Sequence, residues 1–516
     1  MTEESNSPQR QEAGTLPTPK GETPFIEMRG ISKRFGGVRA LEGVNLSIRS
    51  AEIHSLAGEN GCGKSTLIKV LSGVHVPDEG QIILEGKAHS HLTPAASQRF
   101  GVQIIYQDLS LFPNLTVAEN IAFRHHVETP VRVANQQVMR KQAQAVMDRL
   151  KVSLPLDELV GTLPIATRQL VAICRALAAE ARLVVMDEPT ASLSHQEVEG
   201  LLAVVHELKR QNIANLFVSH RLDEVMDIAE RVTVMRDGRN FGTYPVSELD
   251  RRRLGELITG HVFESSVKAP FSSKDAPALE VRGLTCTGQY ADINFELRPG
   301  EILGLTGRMG SGRTELALSL FGMNPPDSGE IRVKGKPVHF HNNRDAIRQG
   351  IAYVSEDRLS LGLVMPQTIA DNTVISVLDK LTGPLGLING ARRAETIERW
   401  IFQELRVKTK TAERPVQQLS GGNQQRVVLA KWLATDPRVL ILDSPTVGVD
   451  IGAKAGIFQV VDMLAGRGLA ILLISDEADE ILHQSHRILV MRYGRIVGTY
   501  DPTRISEKEL REAIYA

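Results

Sequence analysis

Cysteine is scarce, with three in 516 residues, at Cys62, Cys174 and Cys286. They stand far apart, so they make neither a disulfide framework nor a zinc-ligand pattern, which fits a reducing cytosol. No apolar run approaches 18 residues, so the chain is expected to have no membrane span of its own. Charge excess is also missing. Lys+Arg number 60 against 61 Asp+Glu, a net charge of -1 that gives no support for a nucleic-acid-binding surface. Met1 to Pro24 lacks the apolar core of a secretory signal and is rich in Ser, Glu, Gln and Pro, the composition of a disordered tail. What is left is the composition of a soluble intracellular protein, 42% hydrophobic and 23% charged, too long for a single compact core.

The most informative stretch is Gly58-Glu59-Asn60-Gly61-Cys62-Gly63-Lys64-Ser65, followed by Thr66. It fits the G-x-x-x-x-G-K-[ST] phosphate loop at every fixed position. Glycines let successive backbone N–H groups converge on an anion with no Cβ in the way. Lys64 can reach the β- and γ-phosphates, Ser65 can ligate Mg²⁺, and a helix N-terminus adds its dipole. The flanks agree: residues 52–57 read as a strand entering the loop and residues 65–71 as a helix leaving it. Cys62, within the loop, reads as the occupant of a small-residue position.

The chain repeats itself at about half its length. Glu52-Ile53-His54-Ser55-Leu56-Ala57-Gly58 returns as Glu301-Ile302-Leu303-Gly304-Leu305-Thr306-Gly307, and Leu183-Val184-Val185-Met186-Asp187 as Val439-Leu440-Ile441-Leu442-Asp443. The offset is 249 residues at the loop and 256 at the aspartate. Each half mixes short β-branched runs with longer helical patterns, an α/β unit with a mostly parallel sheet. Residues 117–150 read as a mainly helical subdomain inserted in the first half. A short link rich in turn and charged residues falls near residues 265–275.

A second motif narrows the class. Leu419-Ser420-Gly421-Gly422-Asn423-Gln424-Gln425 resembles the LSGGQ signature of ABC transporter ATPases, and Leu183 to Thr190 resembles their Walker B strand. The resemblance covers nearly everything after residue 25. The tandem arrangement, with Ser311-Gly312-Arg313-Thr314-Glu315-Leu316 and Leu429-Ala430-Lys431-Trp432-Leu433, is similar to the ATP-binding subunits of bacterial monosaccharide importers. It implies roles for single residues. Asp187 holds Mg²⁺, Glu188 polarises the attacking water, and Gln107 contacts Mg²⁺ and γ-phosphate. His220 touches the γ-phosphate, and Phe35 stacks on adenine. Ser420, Gly421, Gly422 and Gln424 belong to the signature that faces the ATP.

The two halves depart from this pattern in opposite ways. In the first, Leu163-Pro164-Ile165-Ala166-Thr167-Arg168-Gln169 stands at the signature position, 256 residues before Leu419. Pro164 replaces the serine, and Ile165 and Ala166 replace the glycines. In the second, Arg313 stands for the loop lysine, Ser444 for the catalytic glutamate, Glu356 for the glutamine and Asp476 for the histidine. Arginine is not an equivalent point charge, serine is no carboxylate, and acids repel a triphosphate. In this family the loop of one domain opposes the signature of the other. The resemblance therefore implies one hydrolytic site, with the first-half loop and the second-half signature, and one site that is weak or inert.

The expected organisation is a polar tail over 1–24, a catalytic domain over 25–262, a linker over 263–277 and a degenerate second domain over 278–516. The expected activity is ATP hydrolysis that drives import of a ribose-like monosaccharide, or a small polyol such as erythritol. The resemblance implies ATP and Mg²⁺ as ligands and separate permease subunits as partners. It further implies an extracytoplasmic sugar-binding protein that delivers the solute, no nucleic-acid partner, and a location at the cytoplasmic face of the inner membrane. The competing class is a ribosome-associated tandem ATPase, which usually carries a long charged linker and two competent sites. DNA-repair relatives need zinc-binding cysteines or a long coiled coil, and neither pattern is found.

Overall fold

The computed structural model describes residues 24–128, 135–190, 193, 195–219, 221–260, 267–383, 386–449 and 451–515. Nearly all of the expected tail, and His220, lie outside these residues. The chain divides into two compact units, Met1–Phe263 and Glu264–Ala516.

In the first unit, the strand Ile53–Gly58 lies inside a six-stranded sheet among the described residues. It pairs in parallel with Ala214–Val218 on one side and Arg231–Arg236 on the other. Leu183–Asp187 and then Val102–Ile105 extend the parallel set, and Arg239–Pro245 adds an antiparallel edge. Every residue of Ile53–Gly58 and of Ala214–Val218 is buried, as expected of strands covered on both faces. The near-continuous Val/Ile/Leu content of these runs is the same fact at the level of sequence.

Because the strands run in parallel, their carboxyl ends share one edge. Asp187 pairs with Val218, and Leu56 pairs with the same residue from the other side. Gln107 follows two residues after the end of Val102–Ile105, and the phosphate loop leaves Gly58. In open α/β sheets this edge is where ligands bind.

The sequence reading missed one layer. Ile26–Phe35, Val38–Ile48, Glu79–Leu84 and Lys87–His89 form a separate antiparallel sheet. Its inward residues Ile26, Met28, Ile31, Val44, Leu46 and Ile48 share a core with Leu67, Ile68 and Leu71 of the helix after the loop. The helical segment is present as Val117–Glu128 and Gln136–Leu150, the latter capped at Asn135 by bonds from the N–H groups of Gln137 and Val138.

The second unit repeats the architecture strand for strand. Its antiparallel sheet carries Leu279–Cys286, and Ile302–Gly307 lies inside the parallel set. The described part of the expected linker packs on this unit. Lys268 pairs with Asp462, the Phe271 ring lies 5.2 Å from that of His486, and Arg298 Nη1 donates to the Ser273 carbonyl at 2.7 Å.

Candidate nucleotide site

The helix Lys64–Leu71 starts directly from the loop, with Gly63 at its N-cap in a left-handed conformation, φ 104°. No side chain caps it. The N–H of Leu67 is the first to return to the loop, at 2.9 Å from the Gly63 carbonyl. The N–H groups of the first turn are therefore left for an external acceptor, which is the anion site of such a helix. A Cβ on Gly63 would lie 2.6 Å from the Ala40 carbonyl and 2.8 Å from Leu41. At Gly58 it would lie 2.6 Å from the Cys62 sulfur. The loop is thus clasped by the antiparallel sheet on one side and its own strand on the other.

Lys64 is buried, and its ammonium donates to the carbonyls of Gly58 (2.6 Å) and Glu59 (2.9 Å). These bonds satisfy the cation over its own loop. Cys62 is buried, and burial pushes its thiol up, with the Lys64 charge opposing. It fills a small site, and a thiolate is not favoured there.

Across the sheet edge, burial raises the Asp187 carboxyl above its ordinary range, and the Glu188 charge adds to this. Lys64, Lys69 and a hydrogen bond from the Ser65 hydroxyl act the other way. Ser65 therefore lies near Asp187. Glu188 is held at φ 50°, a left-handed backbone unusual for a side-chain-bearing residue, and its N–H donates to the Val218 carbonyl at 2.9 Å.

Phe35 is exposed, with its ring 5.1 Å from that of His75 and the Lys33 ammonium 5.7 Å from its centroid. It is a surface aromatic, not a core residue. Gln107 is exposed in a turn closed by the Leu109 N–H on the Tyr106 carbonyl at 2.8 Å. Arg175 fastens this turn from the helix Ile165–Ala178, donating to the carbonyls of Ser110 (2.7 Å) and Leu109 (3.1 Å).

The signature in the second unit opens the helix Gly421–Leu433, with Ser420 exposed at its N-cap. The Asn423 amide donates to the Ser420 hydroxyl at 2.9 Å. Gln424 is turned inward, its amide donating to the Leu419 carbonyl at 3.1 Å and the Val416 carbonyl at 3.4 Å. It braces the loop rather than presenting a surface. Gly422 is buried, and a Cβ there would collide with Ala453.

The second loop keeps the shape but not the charge. Gly312 caps the helix Arg313–Leu320 at φ 96°. Arg313 Nη1 is buried without a hydrogen-bond partner among the described residues. Burial raises the Asp443 carboxyl, while hydrogen bonds from the Tyr353 and Thr314 hydroxyls and the Arg313 charge oppose this. The Tyr353 hydroxyl donates to Asp443 Oδ2 at 3.0 Å, where the first half has Ile104. Partial burial raises Glu356, and the charges of Asp443 and Asp476 add to it. Carboxylates thus crowd this loop.

One residue escaped the sequence reading. Glu224, buried, accepts from the hydroxyls of Thr190 (2.7 Å) and Ser219 (2.7 Å). It ties the turn after Glu188 to the strand end before His220. Glu480 does the same with Thr446 (2.6 Å) and Ser475 (2.9 Å). The available signal was its recurrence: serine and glutamate five apart return at an offset of 256.

The ABC transporter family matches residues 41–191 and 290–447. The chain belongs to that family. The ribose import ATP-binding protein RbsA 2 of Rubrobacter xylanophilus is 43% identical over 96% of this chain and 95% of its own length. A putative ribose/galactose/methyl galactoside import ATP-binding protein of Burkholderia lata is 40% identical over 93% of this chain and 94% of its own. One of the same description from Agrobacterium fabrum is 39% identical over 94% and 96%. Two matched segments in one chain agree with tandem ABC domains, each with the sheets described above.

Proposed function

We infer that this chain is the ATP-hydrolysing subunit that energises import of a monosaccharide or small polyol through separate permease subunits. The observation that carries the reading is the set gathered on one sheet edge of the first unit: the phosphate loop, Ser65 against Asp187, Glu188 and Gln107. Whole-length similarity to chains named for ribose and galactose import supports the solute class.

In this reading, Gly58, Glu59, Asn60, Gly61, Cys62, Gly63 and Thr66 cradle the phosphates by their backbone, and Lys64 exchanges its two carbonyls for phosphate oxygens. Phe35 offers its exposed ring to adenine. The Ser65 hydroxyl and Asp187 carboxylate, near one another at the sheet edge, are a hard-oxygen donor set that fits Mg²⁺, and Gln107 is proposed to join them. The metal would supply charge neutralisation at the β- and γ-phosphate oxygens. Glu188 orients the attacking water and takes its proton, and His220 contacts the γ-phosphate. Ser420, Gly421 and Gly422 are proposed as an ATP-facing signature, with Gln424 bracing them from inside. The domains over 25–262 and 278–516 are proposed as the working bodies.

Among the described residues no helix is long and apolar enough to cross a membrane. The reading assigns solute passage to integral-membrane permease partners and this chain to the cytoplasmic face of the inner membrane, with an extracytoplasmic binding protein supplying the solute. The test is uptake of a panel of labelled sugars and polyols in cells carrying wild type or Glu188→Gln. Selective loss of one solute is expected, and unchanged uptake of all of them with confirmed expression would refute the reading.

A further inference from the structure

The loop after Glu356 carries a cation with no countercharge. Arg358 opens a wide helical turn, Arg358–Gly362, in which the N–H groups of Leu361 and Gly362 both return to the Asp357 carbonyl at 3.1 Å. The Asp357 carboxylate is engaged within this turn, accepting from the Ser360 N–H at 2.9 Å. The Arg358 guanidinium lies against the signature. A Cβ built on Gly421 would be 3.4 Å from its Nη2 and 3.8 Å from its Nη1, and one on Gly448 would be 3.8 Å from its Nη2. Its Nε and Nη1 are buried with no hydrogen-bond partner among the described residues. Burial lowers the basicity of the group, and no neighbouring charge opposes this.

An unpaired, partly desolvated guanidinium is costly. Here it also stands beside the N-terminus of Gly421–Leu433, which no side chain caps, so the helix dipole adds to the cost. The fold does without this charge in the first unit. There the N–H of Phe112 donates to Asn120 Oδ1 at 2.9 Å, as that of Val364 donates to Asn372 Oδ1 at 2.8 Å. Five residues lead from Gln107 to Phe112, and eight from Glu356 to Val364. The wide turn is thus an insertion, the usual origin of such turns, which are frequent at functional sites. Both units anchor this loop from the signature helix by a cation on a carbonyl, Arg175 on Ser110 (2.7 Å) and Lys431 on Gly362 (2.6 Å). Only the second adds Arg358. It stands in the unit that keeps Ser420, Gly421 and Gly422, and is missing where Pro164, Ile165 and Ala166 replace them. A charge that the architecture does not need, left without a counterion against the signature, points to an anion that comes from outside the chain.

We propose that Arg358 is a positioning residue for ATP hydrolysis, its charge drawing the terminal phosphate onto Ser420 and Gly421. The signature then engages a triphosphate more strongly than a diphosphate, because the added charge of the third phosphate is what the guanidinium lacks. The inference rests on the reading that Ser420 and Gly421 face the ATP bound at Lys64. It adds to that reading a cation supplied by the second unit, from a turn the first unit does not have.

The test compares Arg358→Gln, which removes the charge and keeps a donor, with Arg358→Lys, which keeps the charge, in the full-length protein. Arg358→Gln is expected to lower kcat for phosphate release about tenfold, and Arg358→Lys to stay within about threefold of wild type. ADP affinity is expected to be unchanged in both. Thermal unfolding of Arg358→Gln is expected no earlier than that of wild type, since an unpaired buried cation is removed. Wild-type kcat in Arg358→Gln, or equal loss in Arg358→Lys, would overturn the proposal, as would a matching loss of ADP affinity or of thermal stability. Ser420→Ala in the same assay separates the two levels. If it impairs hydrolysis and Arg358→Gln does not, only this inference fails; if it leaves hydrolysis unchanged, the reading of the signature fails with it.

Discussion

Glu188 and Ser444 share one backbone conformation. Their φ angles are 50° and 47°, and each N–H donates to the carbonyl ending a neighbouring strand, Val218 at 2.9 Å and Ile474 at 2.8 Å. The turn therefore belongs to the fold and persists where the carboxylate is gone. Glu188→Gln should keep this turn and remove only the base. Turnover is expected to fall about 10²–10⁴-fold, with ATP affinity changed by less than about threefold. Phosphate release and a nucleotide-binding titration check this. Ser444→Ala should leave turnover within about twofold of wild type, because the second loop lacks the rest of the machinery.

Gly63→Ala tests the loop's shape rather than its charge. A Cβ at φ 104° is strained and meets the Ala40 carbonyl at 2.6 Å. The loop must move off the antiparallel sheet, and ATP affinity is expected to drop at least about tenfold. Titration with a fluorescent ATP analogue reads this, and wild-type affinity would show that the loop tolerates the displacement.

Glu224→Ala separates positioning from binding. It cuts the tie between Thr190 and Ser219 and so loosens both Glu188 and the segment bearing His220. The expected outcome is a kcat lowered by about tenfold with a smaller change in the KM for ATP, and partial rescue by Glu224→Gln, which keeps one acceptor oxygen. A change in KM alone would argue against the positioning role.

Glu52 governs acid stability of the first unit. Burial raises its carboxyl, but hydrogen bonds from His54 and Arg231 more than offset this and bring it to about 2. Arg231 binds it at 2.6 and 2.9 Å. A depressed carboxyl contributes stability that is present above its unfolded value and lost as pH falls toward the folded one. The window is therefore from 4.5 down to about 2. Glu52→Gln should cost about 3–5 kcal/mol near neutrality, because Arg231 loses its partner, and should flatten the curve in that window. Urea unfolding at a series of pH values measures both.

Tyr353→Phe addresses the degenerate loop. The hydroxyl bonds a buried Asp443 oxygen, so its removal should destabilise the protein by about 1–3 kcal/mol and leave ATP turnover unchanged. Thermal unfolding and phosphate release together distinguish this from a catalytic contribution.

The nucleotide loop, its flanking strand and helix, the repeat and the asymmetry between the halves were legible in the chain itself. Each rests on neighbours in sequence: a phosphate loop is eight consecutive residues, a strand declares itself by an unbroken apolar run, and a lost lysine or glutamate is visible wherever it stands. Partners distant along the chain were not legible. Gly63 owes its strict requirement to Ala40 on another sheet, and Glu52 to Arg231, 179 residues away. Glu224 reads as an ordinary helix carboxylate until Thr190 and Ser219 are seen on it. Gln424 reads as part of a ligand-facing motif until the backbone turns it toward Val416 and Leu419. Local order along the chain determined which chemistry this protein carries. Close packing of distant segments decided which side chains are free to perform it and which are spent holding the site in shape.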